Sequence, residues 1–569
     1  MVLVRRLIPS SSRVFDSIPS ASCLQMIPSL PEDIYVTIFR WLSLYDVLSV
    51  RKVCRSFYSI TRLRGLWISL LRTEIWAHNI PTPPHLDVDR LNAAQLEKWV
   101  KTCLLLHRNW TSASPIVRRR RYIAVSEPQA RITSLHFITL DGESCLLSFS
   151  LMSRVEPRML TVECWELNTL KCIARRRVQW FGGYAVNSDP NGTGLTAIRT
   201  PHVEVLAFDS SASSPDSAFV TLFTLSTEAR SILCLAGTTM IFRSPNNDIK
   251  MLDITRPPYE ITLEDNNPAF QNQPDSFQAI IYDDYTLILR TKTLALYALH
   301  DFRAGRHPPS VPLSPVQLFE FPWRIDSCCM ERQISPSSAR HGHSNSNDVT
   351  SKSKPSTINI LIRYSSLFPW PVNMLHHFIL HPNPSYVPLS SSDGSTSISP
   401  SVSNNTNDYS SVHMTINPNN LPYEFPPVSS QTIVSPVRLF AITDMALGRY
   451  GTAVWLDSHT EDYFYHGDVG QRLAGIMLLE PSRRPSPCSY SSSFAAERYN
   501  IRGSGDEIEG REPEASTTGD QNSQRAASIV FAAHESDDWN RVAMDEGEGR
   551  VAVGSVTGEI MIDDYAEER

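Results

Sequence analysis

The chain has 569 residues, with 52 Lys and Arg against 59 Asp and Glu, a net charge of −7 and a pI near 6.2. That balance argues against a dominant nucleic-acid footprint, which requires an excess of basic charge. Forty prolines, 23 glycines and ten cysteines exclude collagen, a coiled coil and a disulfide scaffold, while 41% apolar residues suffice for sizeable cores.

At ~100–200 residues per domain, the length implies about three to five domain equivalents. Residues 1–27 mix Arg5, Arg6 and Arg13 with serines, lack the apolar core of a signal peptide, and read as a flexible tail. No apolar run reaches the ~18 residues that suggest a membrane span. The cysteines form no CxxC pair, and no His pair follows at zinc spacing, so buried thiols in a reducing, intracellular setting (cytoplasm, nucleus or both) are expected. Adjacent Cys328 and Cys329 are a poor metal clamp.

From residue 30 to 110 the period is helical. Ile34, Ile38, Trp41 and Leu42 recur at i, i+4, i+7 and i+8, followed by Val47, Val50, Cys54 and Phe57, then Leu63, Leu66, Trp67, Leu70 and Leu71. Pro31 suits a helix start, Glu32 and Asp33 suit its positive end, and Ser43 with Asp46 reads as a capping box. Three short helices are expected, then a proline hinge and a helix from about Asn92 to Asn109 within a linker over 73–118.

Beyond residue 120 the period changes to short strands broken by turn dipeptides. Ile132–Leu140, Asp141-Gly142 and Cys145–Phe149 form one such hairpin; Tyr285–Leu289 and Leu294–Leu299, and Arg550–Val556 with Glu559–Ile562 about Thr557-Gly558, continue the series. Ser/Pro/Asn-rich stretches at about 335–357, 385–431 and 481–525 are expected to be disordered inserts. Without them about 330 residues remain, which at ~40–45 per blade suits a propeller of six to eight blades over 119–569. Ser-Pro steps at Ser214, Ser314, Ser335, Ser399, Ser435 and Ser486 are candidate phosphorylation sites, and Arg118–Arg121 and Arg175–Arg177 are basic runs.

The segment Leu30-Pro31-Glu32-Asp33-Ile34, then Ile38-Phe39-Arg40-Trp41-Leu42, Asp46-Val47-Leu48, Val53-Cys54-Arg55 and Trp67 resembles an F-box across about residues 28–72. The helix after it is similar to the one that follows the F-box in fungal members. The resemblance implies docking on the Skp-family adaptor of an SCF ubiquitin ligase, and through it on a cullin, while the remainder captures an unidentified target protein. Leu30, Pro31, Ile34, Leu42, Val47, Leu48, Val53, Cys54 and Trp67 match motif positions that build the domain and its adaptor-facing surface. Leu44 joins them on physical grounds, because ~45 residues cannot hide so many apolar side chains without a partner.

A weaker resemblance to WD-type blades rests on Leu160–Ile173, where Trp165-Glu166 stands near the usual Trp-Asp, and on Gly549–Ile562. No GxSxG, P-loop, HExxH or dinucleotide fingerprint occurs, so no catalytic residue, metal or cofactor is expected, and neither is nucleic acid or membrane binding. The expected function is a non-catalytic substrate-recognition subunit. The alternatives are an adaptor-bound scaffold that does not direct ubiquitination and, with least support, an enzyme in the propeller channel.

Overall fold

The computed structural model describes residues 30–83, 87–112, 114–152, 156–179, 182–226, 229–256, 259–264, 276–334, 355–365, 373–388, 420–437, 442–458, 470–478, 525–526 and 528–566. The chain divides into two units, Met1–Glu74 with Val88–Val100, and Ile75–Asp87 with Lys101–Arg569. The 1–27 tail lies outside the described residues, and the stretch 73–118 is shared between the units.

The first unit is helical: α1 (Glu32–Phe39), α2 (Leu44–Val50), α3 (Arg55–Ile60), α4 (Arg64–Leu70) and the start of α5 (Ala93–Trp110). Ser43 caps α2, its Oγ accepting from the Asp46 amide at 3.3 Å. The second expected helix breaks in two at Val53–Cys54, because Cys54 is extended (φ −156°, ψ 166°) and its Sγ caps α3 by accepting from the Phe57 amide. Asn92 and Gln95 open α5 by exchanging reciprocal amide bonds at 2.9 Å. Tyr35 and Phe39 turn inward from α1 and meet the Phe57 ring at 5.4 and 5.5 Å.

One polar network ties these helices together. Arg51 donates to both carboxylate oxygens of Glu97, at 2.7 and 2.9 Å, and to Thr61 Oγ1 and O. The Thr61 carbonyl also accepts Trp67 Nε1–H at 2.9 Å, and the guanidinium lies 5.7 Å from the Trp67 ring.

The second unit is a propeller of seven sheets, within the expected six to eight. Blade 1 takes Arg131–Leu140, Glu143–Met152, Met159–Glu166 and Lys171–Gln179; blade 2 takes Tyr184–Val186, Thr196–Arg199, Val203–Phe208 and Phe219–Leu225. Blade 3 takes Ser231–Ala236, Thr239–Arg243, Ile249–Asp253 and Glu260–Leu263; blade 4 takes Ser276–Tyr282, Tyr285–Arg290, Thr293–Ala298 and Gln317–Glu320. Blade 5 uses Ile325–Arg332, Ile358–Tyr364, Met374–Leu380 and Val428–Val434, with Arg525–Ala526 added in parallel at its outer edge. Blade 6 uses Met445–Leu447, Thr452–Ser458, Gln471–Met477 and Ile529–His534.

Blade 7 combines Trp539–Asp545, Arg550–Ser555 and Glu559–Asp564 with the N-terminal strand Arg119–Ala124, which pairs with Glu559–Asp564 as the outermost strand. That pairing closes the ring and covers an edge that would otherwise be open. The first strand of each blade is innermost, and among the described residues seven apolar clusters each join two adjacent blades. Asp141 and Gly142 both adopt positive φ, 49° and 84°, as their two-residue hairpin requires.

Of the expected inserts, residues 335–354, 389–419 and 481–524 lie outside the described residues. The edges of these stretches depart from the expectation. Thr357, Leu421 and Tyr423 are buried, and Val428–Gln431 already belongs to a blade 5 strand. The alternation Leu421, Tyr423, Phe425 supplies the reason, since Tyr423 enters the core between blades 4 and 5 and Phe425 packs against it.

Residues 75–83 and 101–110 belong to the propeller unit and pack on the first turns of blades 6 and 7. Leu106 sits against Gly549 (φ +68°) so closely that a Cβ there would lie 2.4 Å from its Cδ1. Trp110 meets Phe531 and Tyr565 edge-on, each at 6.0 Å. Thr82 bonds the Tyr450 hydroxyl at 2.9 Å, and the Tyr450 and Thr452 amides both donate to Glu546 at 2.8 Å. Desolvation pushes Glu546 up to about 7, and the nearby Glu331 carboxylate adds to the shift.

Two outcomes follow from these networks. Arg51→Ala leaves the partly buried Glu97 unpaired and should cost about 3 kcal/mol; hydrogen-exchange mass spectrometry should show peptides over 51–70 exchanging about 100-fold faster, and unchanged protection would refute the network's role. For Glu546 the folded form holds its proton up to pH 7 while the unfolded chain loses it near 4.5, so stability falls as pH rises between those values. Because Gln mimics the protonated carboxyl, the melting temperature of wild type should fall relative to that of Glu546→Gln from pH 5 to 7.5, and a constant difference contradicts the assignment.

Candidate functional site

Among the described residues, one side of α1 is left exposed. Ile34 and Ile38 follow at i and i+4, within about 40° of one another around the α1 axis, and Trp41 stands in the turn just beyond the end of that helix. All three are exposed, Trp41 at 87%. Leu30, Tyr45, Val53 at 70% and Tyr58 are exposed as well. Apolar side chains held this far into water mark an interaction surface.

The sequence-derived set splits on this surface. Leu30, Pro31, Ile34, Val53 and Cys54 are exposed, and Leu42 and Leu48 are half-buried. Leu44, Val47 and Trp67 are buried, the last two at 0%, so they build the unit and present nothing to a partner. The reason is the start of α5: Leu96 and Val100 join the core, and Glu97 secures Arg51 over Trp67, so the unit holds more than the ~45 residues considered from sequence. Ile38, Trp41, Tyr45 and Tyr58 were absent from the set, although the i, i+4, i+7 period had already grouped Ile34 with Ile38 and Trp41.

Both basic runs are engaged inside the propeller. Arg120 pairs bidentately with buried Asp563 at 2.7 and 2.8 Å, and Arg121 with Asp564 at 2.8 Å. Arg175 reaches Glu163 at 3.0 Å, Arg176 reaches Glu204 at 3.3 Å, and Arg177 pairs with Glu127. Their charge ties neighbouring strands to one another. Of the Ser-Pro serines, Ser435 is fully buried, and its Oγ and O accept from Arg363 at 2.7 and 3.0 Å. Ser214 is exposed at a short helical turn, and Ser314 donates to Glu264, whereas Ser335, Ser399 and Ser486 lie outside the described residues.

Trp165, the WD-like position, is buried, and its Nε1–H donates to Ser148 Oγ at 3.0 Å, fastening two strands of blade 1. Cys328 and Cys329 occupy successive strand positions and so point to opposite faces, with burial pushing Cys329 up to about 12. Cys103, Cys145, Cys164 and Cys234 are buried; Cys23 and Cys488 lie outside the described residues. Among the described residues, no group of three or more His, Cys, Asp or Glu is arranged to hold a metal ion, and no helix is long and apolar enough to cross a membrane.

A cavity of about 810 Å³ opens at one end of the propeller, where first and second strands turn in blades 2 to 6. Arg256, Arg303, Arg332 and Arg449 line it together with Asp189, Asp253, Asp283 and Glu331.

Residues 27–73 match the F-box-like family model. No curated protein matches the chain. Among solved structures, BamB from Moraxella catarrhalis is similar at 7% identity and a TM-score of 0.34, covering 79% of this chain and all of that one. Hsv2 from Kluyveromyces lactis is similar at 13% identity and a TM-score of 0.26, covering 45% of this chain and 70% of that one. The propeller assignment rests on the strand order itself: the chain carries an F-box-like domain at residues 27–73, followed by a seven-bladed β-propeller.

Proposed function

We propose that the chain is the substrate-recognition subunit of an SCF-type ubiquitin ligase. In this reading the F-box-like unit docks on a Skp-family adaptor, which joins it to a cullin, and the propeller holds the target protein. The observation that carries the reading is the exposure of Ile34 and Ile38 on α1 and of Trp41 just after it, in a segment that matches the F-box-like family. Covering each large apolar side chain contributes about 1.5–3 kcal/mol, and a buried tryptophan is a frequent centre of binding energy.

The contribution to catalysis is positional. Holding the target and a ubiquitin-charged conjugating enzyme on one assembly replaces a chance encounter with a local concentration in the ~mM range. No nucleophile or general base is required of this chain, and the unit acts in the cytoplasm or nucleus, where the ligase operates.

Trp41→Ala should reduce co-purification of the Skp-family adaptor at least tenfold while leaving the melting temperature unchanged, because the side chain makes little contact within the chain. Trp67→Ala should lose adaptor binding only through loss of the fold. Full adaptor recovery by the triple variant Ile34→Ala, Ile38→Ala, Trp41→Ala overturns the reading.

A further inference from the structure

Four arginines line the cavity, and three of them have carboxylate partners. Arg449 lies 3.3 Å from Glu331, Arg303 lies 3.8 Å from Asp284, and Arg256 lies 3.9 Å from Asp253. Arg332 differs. It is exposed, its guanidinium lies 4.6 Å from the Tyr282 ring, and no carboxylate forms an ion pair with it among the described residues.

Its position is fixed from below. Gln278, on the innermost strand of blade 4, donates to the Met330 carbonyl at 3.0 Å and accepts from the Met330 amide at 2.6 Å. That double bond pins the end of the blade 5 inner strand two residues before Arg332. Tyr282 ends the neighbouring inner strand and gives the guanidinium an aromatic backing. A planar fork of donors held this way is set to receive a carboxylate bidentately.

The cavity is also unevenly charged. Blades 2 and 3 contribute Asp189, Asp253 and Arg256, a net charge of −1, while blades 4 to 6 contribute Asp283, Glu331, Arg303, Arg332 and Arg449, a net charge of +1. An anionic side chain is drawn toward blades 4 to 6, which orients an extended segment laid across the mouth.

We propose that this cavity is the target-docking site of the propeller and that it receives an extended protein segment through an acidic side chain bound by Arg332. The proposal deepens the reading of the propeller as the target-binding domain. Its test is made on the chain alone, so failure of adaptor capture and failure of this site are distinguishable.

A phage-displayed library of random 12-residue peptides is selected on the full chain. Selected sequences should be enriched in Asp and Glu, and one such peptide, resynthesised, should bind at least tenfold more weakly to Arg332→Ala. Arg332→Lys should recover part of the loss, since it keeps the charge without the fork. Arg131→Ala, which alters an exposed arginine at the opposite end of the blade 1 inner strand, should bind normally. Absence of acidic enrichment, or equal binding by Arg332→Ala, overturns the proposal. A phosphoserine replacement of the acidic residue that binds tenfold tighter through Arg332 assigns the site to phosphate and overturns the carboxylate.

Discussion

Arg51 decides which apolar side chains of the helical unit are covered. Its donors reach Glu97 on α5 and Thr61 at the corner between α3 and α4, and its flat face lies by Trp67. The Thr61 carbonyl accepts from both Arg51 and Trp67, so three segments meet at one oxygen. With both partners largely dehydrated, the bidentate geometry offsets much of the desolvation cost. Trp67, Leu70, Leu96 and Val100 are drawn into the core. Tyr35 and Phe39 fill the inward side of α1 against Phe57, and Ile34 and Ile38 stay exposed among the described residues. The exposure of Ile34, Ile38 and Trp41 is a consequence of how the core is assembled.

The propeller depends on a comparable device at another scale. A ring of sheets has two free ends, and here residues 119–124 supply the outer strand of the last blade, so both ends are held by one ladder. Arg120 and Arg121 reinforce it through Asp563 and Asp564. Just before that strand, residues 75–83 and 101–110 lie on the turns of blades 6 and 7, where Gly547 and Gly549 leave room for them. The cavity opens among the corresponding turns of blades 2 to 6. A segment held there therefore lies on the face of the ring that carries the incoming chain.

Element type was legible in the sequence because it depends on local period. The switch from 3.6 to 2 near residue 120, the Ser43 cap and the Asp141-Gly142 turn all appear where patterning indicated. The blade estimate of six to eight bracketed seven because the strands are regular enough for length to count them. What periodicity cannot reveal is which face a distant segment covers. Trp67 and Trp41 are equally apolar and equally periodic, yet one is sealed by Arg51 and the neighbouring helices and the other is not. Composition misled in the opposite direction at 420–431, where Ser, Pro and Asn concealed the alternation of Leu421, Tyr423 and Phe425.

Charge followed the same rule. Runs of arginine stand out in the sequence, but a run placed on a strand sends its side chains to alternate faces, beside adjacent strands that carry acids. Asp563, Asp564 and Glu163 engage those guanidinium groups within their own sheets and Glu204 does so from the next blade, and little capacity remains for a ligand. Arg332 has no basic neighbour in sequence and gave no signal there. Its chemistry comes from standing at a strand end, beyond an anchored Met330 and beside the Tyr282 ring, where the ring geometry opens a cavity. An arginine is available to a partner when the fold gives it a support and withholds a carboxylate, and that condition is set by tertiary structure.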